Sequence, residues 1–336
     1  MNYFVKRVGQ AVFTVFAVVS FTFVLIRLMP GGPAEYIKAQ LIGQNMGSVS
    51  PEEMEQINAL VKDYVNIDPS KSLWEQYLEY MASILQGDLG TSIWYNEPVT
   101  SLITDALPWT ILLMATSILL SFTLGITIGA VMAYVEGSRL DIGLSTVFTL
   151  LTSIPYYVIA VLAVYILAYQ FGLFPTGGRV GEGVTTGFNL AYIKSIVYHA
   201  ALPIASIVIT GAGGRALGMR GNSIRVMGED YLRVARLRGL RSRRIALHYV
   251  ARNAVLPMYT NLMIAIGFLF GGAVILEEIF RYRGIGLLLF KSINTRDYPL
   301  MMGTFLIITV AVVTGLLIAD LTYGKLDPRV ESGGGA

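Results

Sequence analysis

The chain has 336 residues, 54% of them hydrophobic and only 14% charged, with a net charge of +3 and a mean hydropathy of +0.61. A soluble globular chain carries nearly twice that share of charge, because a water-facing surface needs it, so this chain belongs in a membrane; the same balance excludes disorder, a collagen-like repeat and a nucleic-acid partner. With no cysteine, disulfides, thiolate metal sites and cysteine nucleophiles are excluded as well.

Stretches of about 20 residues free of Asp, Glu, Lys and Arg mark candidate spanning helices. Six occur, at 8–26, 106–135, 142–172, 195–214, 253–276 and 298–319. Lys6 and Arg7 precede the first, but its apolar stretch is too long for a signal peptide and no small-residue cleavage site follows, so it reads as a retained anchor. The expected fold class is an all-α integral membrane protein.

Orientation follows from the basic residues of short loops. Ten of the 25 basic residues lie between Arg215 and Arg252, against only Glu229 and Asp230. Placing that loop in the cytoplasm puts Lys6, Arg7, Arg139, Lys325 and Arg329 there too, and both termini with them. The stretch 30–105 has three basic residues and eleven acidic ones, so it is expected outside. The resulting plan is a first helix within 1–29, an external helical segment at 30–105, a membrane core at 106–322 containing a cytoplasmic loop at 220–257, and a tail at 323–336.

Within the external segment, Ser50-Pro51-Glu52-Glu53 supplies an N-cap, a first-turn proline and acids for the positive end of a helix dipole, predicting a helix to about residue 64. A second helix is expected over 73–85, with Trp74, Tyr77, Leu78 and Met81 on one face, stopping at Gly87. That face would lie against the membrane or a partner. Trp74, Tyr77, Trp94, Tyr95 and Trp109 suit an interfacial belt, with or without a further role.

The uncharged runs hold no ionisable Asp, Glu, Lys or Arg, which disfavours a carrier driven by its own titrating groups and leaves open a sodium carrier built on carbonyls and hydroxyls. Catalytic patterns are missing. There is no His-Glu-x-x-His and no Gly-x-Ser-x-Gly; His199 and His248, assigned to opposite sides, cannot share a metal. The Gly324-Lys325 pair is followed by Leu326, so there is no P-loop. No catalytic, cofactor or metal site is therefore expected. Gly211-Ala-Gly213-Gly214-Arg215-Ala216 superficially imitates a dinucleotide fingerprint, but it has no preceding strand and reads as helix packing.

Gly125-x-x-x-Gly129 and Gly267-x-x-x-Gly271, extended by Gly272, should let helix backbones approach closely. Pro155 and Pro203 free backbone carbonyls within or near spans, giving either a tolerated kink or a kinked helix beside a translocation path. The candidates to line such a path are Pro155, Tyr156, Tyr157 and Asn261.

The arginine-rich loop predicts two short helices: one opened by Glu229 and Asp230 and broken at Gly239, the other capped by Ser242 and ending before Pro257. Tyr231, Leu232, Val234, Ala235, Ile245, Leu247 and Val250 would pack on the spans. The arginines would face outward, toward anionic headgroups or a partner.

These residues carry a family resemblance. The loop resembles the coupling loop, or EAA motif, of permease subunits of bacterial and archaeal ABC importers, in the version of the dipeptide/oligopeptide branch: an acid pair and Tyr (Glu229, Asp230, Tyr231), then Ala235, then Gly239, closing with Arg-Asn-Ala-x-Leu-Pro at 252–257. Gly87-Asp88-Leu89-Gly90-x-Ser92 followed by Pro98-Val99, Leu107-Pro108-x-Thr110, Arg296-Asp297-Tyr298-Pro299 and Leu326-Asp327-Pro328-Arg329 resemble further family segments, so the similarity covers nearly the whole chain. The chain departs in having Arg233-Val234-Ala235 where the general motif opens Glu-Ala-Ala, Arg283 where the family commonly has Pro, and its own wording at 62–73.

The resemblance implies a type I importer permease with six transmembrane helices and a cytoplasmic coupling helix, in the bacterial or archaeal inner membrane. This chain would be non-catalytic, paired with a second homologous permease, lipid around it, two ABC ATPases carrying ATP and Mg, and an external substrate-binding protein. ATPase coupling would fall to Glu229, Asp230, Ala235, Arg236, Arg238, Gly239, Arg241, Arg243 and Arg244, with Ala235 and Gly239 kept small for close approach. Peptides or oligosaccharides would be the solute, peptides being the commoner in the family. A stand-alone channel or facilitator whose basic loop is only topological is the alternative.

Overall fold

The computed structural model describes residues 3–28, 39, 50–52, 55–56, 59, 71–241, 244–267, 269 and 274–326. Its regular structure is helical, apart from a single antiparallel bridge between Thr91 and Pro98. In chain order the helices are α1 (Tyr3–Leu28), α2 (Leu73–Leu85), α3 (Val99–Tyr134), α4 (Arg139–Thr152), α5 (Tyr156–Ala163), α6 (Leu190–Met227), α7 (Asp230–Leu237), α8 (Arg252–Gly267), α9 (Val274–Ile279), α10 (Ile285–Asn294) and α11 (Tyr298–Leu326), with π-helical turns at Val164–Gln170 and Ile245–Ala251.

Among the described residues, four helices are long and apolar enough to cross a membrane: Val5–Leu25 of α1, α3, α6, and Tyr298–Ile318 of α11. The expected span at 142–172 is not one helix. It is α4 followed by Tyr156–Gln170, bent by 88°, where Pro155 has no N–H to continue α4 and disfavours the helical conformation for the residue before it. At the start of α5 the same missing donor costs nothing. Counting the bent pair as one span gives five. The run at 253–276 begins as α8, and part of it, with Gly271 and Gly272, lies outside the described residues. So does most of the helix expected to open at Ser50. Pro108, Pro203 and Pro257 all sit inside continuous helices.

The chain divides into two compact units, one of Met1–Thr110, Phe270–Val274 and Arg283–Leu317, the other of Ile111–Leu269, Ile275–Tyr282 and Ile318–Ala336. In the first, α2 starts with a capping box: Glu75 N donates to the Ser72 hydroxyl, and Ser72 N donates to the Glu75 carboxylate at 2.9 Å. These Ser72 hydrogen bonds hold the Glu75 carboxyl below its usual range. The face that α2 turns toward the chain's own helices is centred on Tyr77 and Tyr80. Tyr80 stacks on Phe23 of α1 with ring centroids 5.4 Å apart, Tyr77 meets Ser20 Oγ at 2.7 Å, and both tyrosines join a cluster with Tyr298, Met301, Met302 and Leu306 of α11. Trp74 and Leu78 stay exposed. The helix lies on the chain's own helices.

Two sequence motifs meet beyond α2. Ser92 Oγ donates to Asp297 Oδ2 at 2.5 Å, Trp94 N donates to the same oxygen at 3.1 Å, and Leu300 N donates to Oδ1 at 3.2 Å. Gly87 and Gly90, at φ +78° and +80°, make the turns that bring Ser92 there. Similarly, Ile285 N donates to the buried Thr110 Oγ1 at 2.8 Å.

In the second unit, α3 and α6 pack through small residues. A Cβ on Gly125 would stand 3.1 Å from the Ala212 carbonyl oxygen, and one on Gly129 would overlap the Ala216 carbonyl. Helices come this close where lipid provides no hydrophobic drive. The glycines at 211–214 serve packing in the same way, Gly213 having room for only 3.2 Å between a Cβ and Thr152 of α4. Asp141 in the first turn of α4 is 1% exposed and receives a bidentate pair from Arg220, Nε at 2.5 Å and Nη2 at 2.7 Å.

Candidate functional site

The arginine-rich loop begins where α6 ends. Glu229 is the extended residue before α7 and makes no side-chain cap, while Asp230 is the acid of the first turn. Leu232, fully buried, and Ala235, 3% exposed, pack with Ile245 and Val250 and against Val226, Met227, Leu240 and Tyr249. Alanine is needed at 235 because a larger side chain would enter that cluster.

The outward face differs from expectation. Tyr231, Val234 and Leu237 are exposed, Leu237 by 81%, rather than packed on the spans; an eight-residue helix presents only one narrow stripe inward, and Leu232 and Ala235 fill it. The Leu247 side chain lies outside the described residues. Around the exposed apolar residues stand Arg233, Arg236, Arg238, Arg241 and Arg244. Arg243 and the expected cap Ser242 lie outside the described residues.

Gly239 closes α7 at φ +68°. Its N–H donates to the Arg236 carbonyl at 2.9 Å, and Leu240 N to that of Ala235 at 3.3 Å, a helix end that favours glycine. Nothing lies within 4 Å of where its Cβ would be, so conformation rather than crowding within the chain calls for glycine. The second helix does not end before Pro257. The π-helical turn runs directly into α8, and Pro257 sits inside it, forgoing a hydrogen bond to the carbonyl four residues earlier. Asn253 Nδ2 donates to the Tyr231 hydroxyl at 3.2 Å, tying the start of α8 to α7.

Deeper in the same unit is an open cavity of about 370 Å³ lined by Phe122, Thr210, Arg215, Gly218, Met258 and Asn261. Asn261 is thus the one path candidate on its wall. Pro155, Tyr156 and Tyr157 are instead at the break between α4 and α5, the two tyrosine rings edge to face at 5.8 Å. Sequence reasoning assigned Arg215 to the cytoplasmic collar, since the uncharged run stops at Gly214. In the structure it belongs to the cavity wall, level with Gly125 of α3, whose Cβ would stand 2.5 Å from that of Arg215. The signal available in the sequence was the glycine cluster just before it.

Residues 125–332 match the model of a protein family described as the inner membrane component of binding-protein-dependent transport systems. The chain belongs to this family. It is 32% identical over 330 residues to the oligopeptide transport system permease protein AppB of Bacillus subtilis (strain 168), covering 98% of this chain and 99% of that one. Another relative, the di/tripeptide transport system permease protein DppB of Pseudomonas aeruginosa (strain UCBPP-PA14), is 30% identical over 98% of this chain and 99% of its own length. The protein is accordingly a multi-pass inner-membrane permease subunit of an ABC importer, and the reading as a stand-alone channel gives way.

Proposed function

We propose that this permease forms half of a peptide translocation path and couples it to ATP hydrolysis on separate subunits through α7 and the turn at Gly239. The relatives named for oligopeptide and di/tripeptide transport support peptides as the solute. In this reading six spans cross the membrane with both termini inside. The stretch 30–105 faces outward toward a substrate-binding protein, and the remaining partners are a second, homologous permease and two ATPases holding ATP and Mg.

The observation that carries the coupling assignment is the two-sidedness of α7. Its inner stripe, Leu232 and Ala235, is locked to Ile245 and Val250, while Val234 and Leu237 are exposed among arginines. An apolar knob ringed by cations is how a helix seats in a partner's groove, and a helix fixed on its other side transmits the partner's rigid-body movement. Glu229, Asp230, Arg236, Arg238, Arg241 and Arg244 form the polar rim, and Arg243, outside the described residues, is assigned to coupling from the sequence alone. Pro155, Tyr156, Tyr157 and Asn261 are assigned to the path.

The test is to reconstitute the permease with its partners in proteoliposomes and follow ATP-driven uptake of labelled peptide for the wild type and Leu237→Asp. The variant is expected to insert normally but lose ATPase binding and uptake; full uptake by it would remove α7 from the coupling role.

A further inference from the structure

Arg215 stands about 18 Å of helix from the end of α6 at Met227. It lies beside Gly125, within the uncharged run of α3. A cation in such a place is costly unless paired. Arg220, one and a half turns on, is paired with Asp141; among the described residues no carboxylate pairs with Arg215. Its Nη1 donates to the Gly211 carbonyl at 2.8 Å, its guanidinium carbon lies 4.2 Å from the centre of the Phe122 ring, and its buried Nε has no hydrogen-bond partner.

The side chain is held there by design of the backbone around it. A Cβ on Gly211 would stand 2.5 Å from Nη1, and one on Gly125 would stand 2.5 Å from the Arg215 Cβ, so two glycines make its room. It leans back toward Gly211, away from the arginine-rich end of α6, and so does not snorkel to that water. Phe122 fixes the plane of the fork, and Thr210 and Asn261 add neutral hydrogen-bonding groups to the same wall. A planar cation on the wall of a cavity of about 370 Å³, with no carboxylate paired to it among the described residues, matches a carboxylate better than a neutral or cationic group.

We propose that Arg215 receives a carboxylate of the travelling solute, the C-terminal carboxylate in the case of a peptide, and thereby selects for it during passage. This rests on the peptide-importer reading above. It adds a filter within the permease, separate from any exercised by the binding protein.

The test uses the complete importer in proteoliposomes with tri-alanine and tri-alanine amide, comparing maximal uptake rates at saturating peptide, where delivery affinity drops out. The wild type is expected to carry the free acid roughly tenfold faster, the size of one charge-assisted pair, and Arg215→Gln to bring the ratio near one. Arg215→Lys, which keeps the charge and loses the fork, is expected to fall between them, and supplies the answer if the glutamine variant does not assemble. An acid-to-amide ratio equal in wild type and variants overturns the role of Arg215 alone. Absence of ATP-driven uptake of both peptides by the wild type overturns the peptide reading itself, and this inference with it.

Discussion

Ser92 and Asp297, 205 residues apart, share a buried hydrogen bond of 2.5 Å. The carboxylate, 1% exposed, also accepts from the backbone of Trp94 and Leu300. It thereby fixes the turn after Gly90 to the start of α11. Asp297→Ala strands three donors at once and is expected to cost about 3 kcal/mol or more, with Ser92→Ala costing about 1 kcal/mol. Thermal unfolding in mild detergent reads both, and equal Tm values for the two variants would contradict a hub at Asp297.

Close approach of α3 and α6 makes Gly129 sensitive to a single methyl. A Cβ there would overlap the Ala216 carbonyl and stand 2.8 Å from the Met219 Cβ, so Gly129→Ala is expected to destabilise by about 1–3 kcal/mol. Gly143, with nothing within 4 Å of its Cβ position, is the control. Its alanine variant should gain up to about 1 kcal/mol from helix propensity. Loss of helicity against added denaturing detergent compares the two.

Gly239 separates conformation from crowding. Gly239→Asn tolerates the left-handed backbone and should keep both stability and ATPase recovery, whereas Gly239→Val is expected to lose about 1–2 kcal/mol through backbone strain. Gly239→Trp fills the open space beside the turn, so co-purification of the ATPases should fail although the protein still inserts. Full recovery of ATPase with the tryptophan variant would take Gly239 off the docking surface.

Asp141 and Arg220 predict a pattern rather than a single loss. Arg220→Gln leaves Asp141 with Gly137 N at 3.0 Å and Ser145 Oγ at 3.5 Å as its remaining donors of note, and Tm should fall by a few degrees. Adding Asp141→Asn removes the stranded charge and should restore part of the loss. Additive losses in the double variant would mean that the pair is not coupled.

Charge gaps and helical periodicity located α1, the last span and α2 because each is written in the side chains themselves: an uncharged run, or apolar residues at helical spacing that stop at Gly87. Several motifs behind the family resemblance also reappear as physical contacts, as with Ser92 and Asp297 or Thr110 and Ile285. What was hidden depends on the backbone or on tertiary choice. Composition cannot see that the run through Pro155 is broken, nor that Pro257 sits within α8 while Pro155 ends a helix. Two apolar stripes of α2 share one spacing, Tyr77, Tyr80, Met81 and Ile84 beside Trp74, Tyr77, Leu78 and Met81, and only packing on Phe23 shows which of them meets the chain's own helices. Arg215 ends an uncharged run by charge count, and only the structure shows that the helix and its small-residue packing continue past it.

The unit that joins residues 1–110 to residues 283–317 imposes an order on biogenesis. Residues 1–110 reach the membrane early, yet the helix that completes their packing begins at Tyr298. At ordinary translation rates the 205 residues between Ser92 and Asp297 take roughly 10–40 s to synthesise. For that interval the nascent segment has no acceptor for Ser92 or Trp94 N and no α11 surface for Tyr80. A ribosome stalled before Asp297 would leave this surface open to proteases and insertion chaperones.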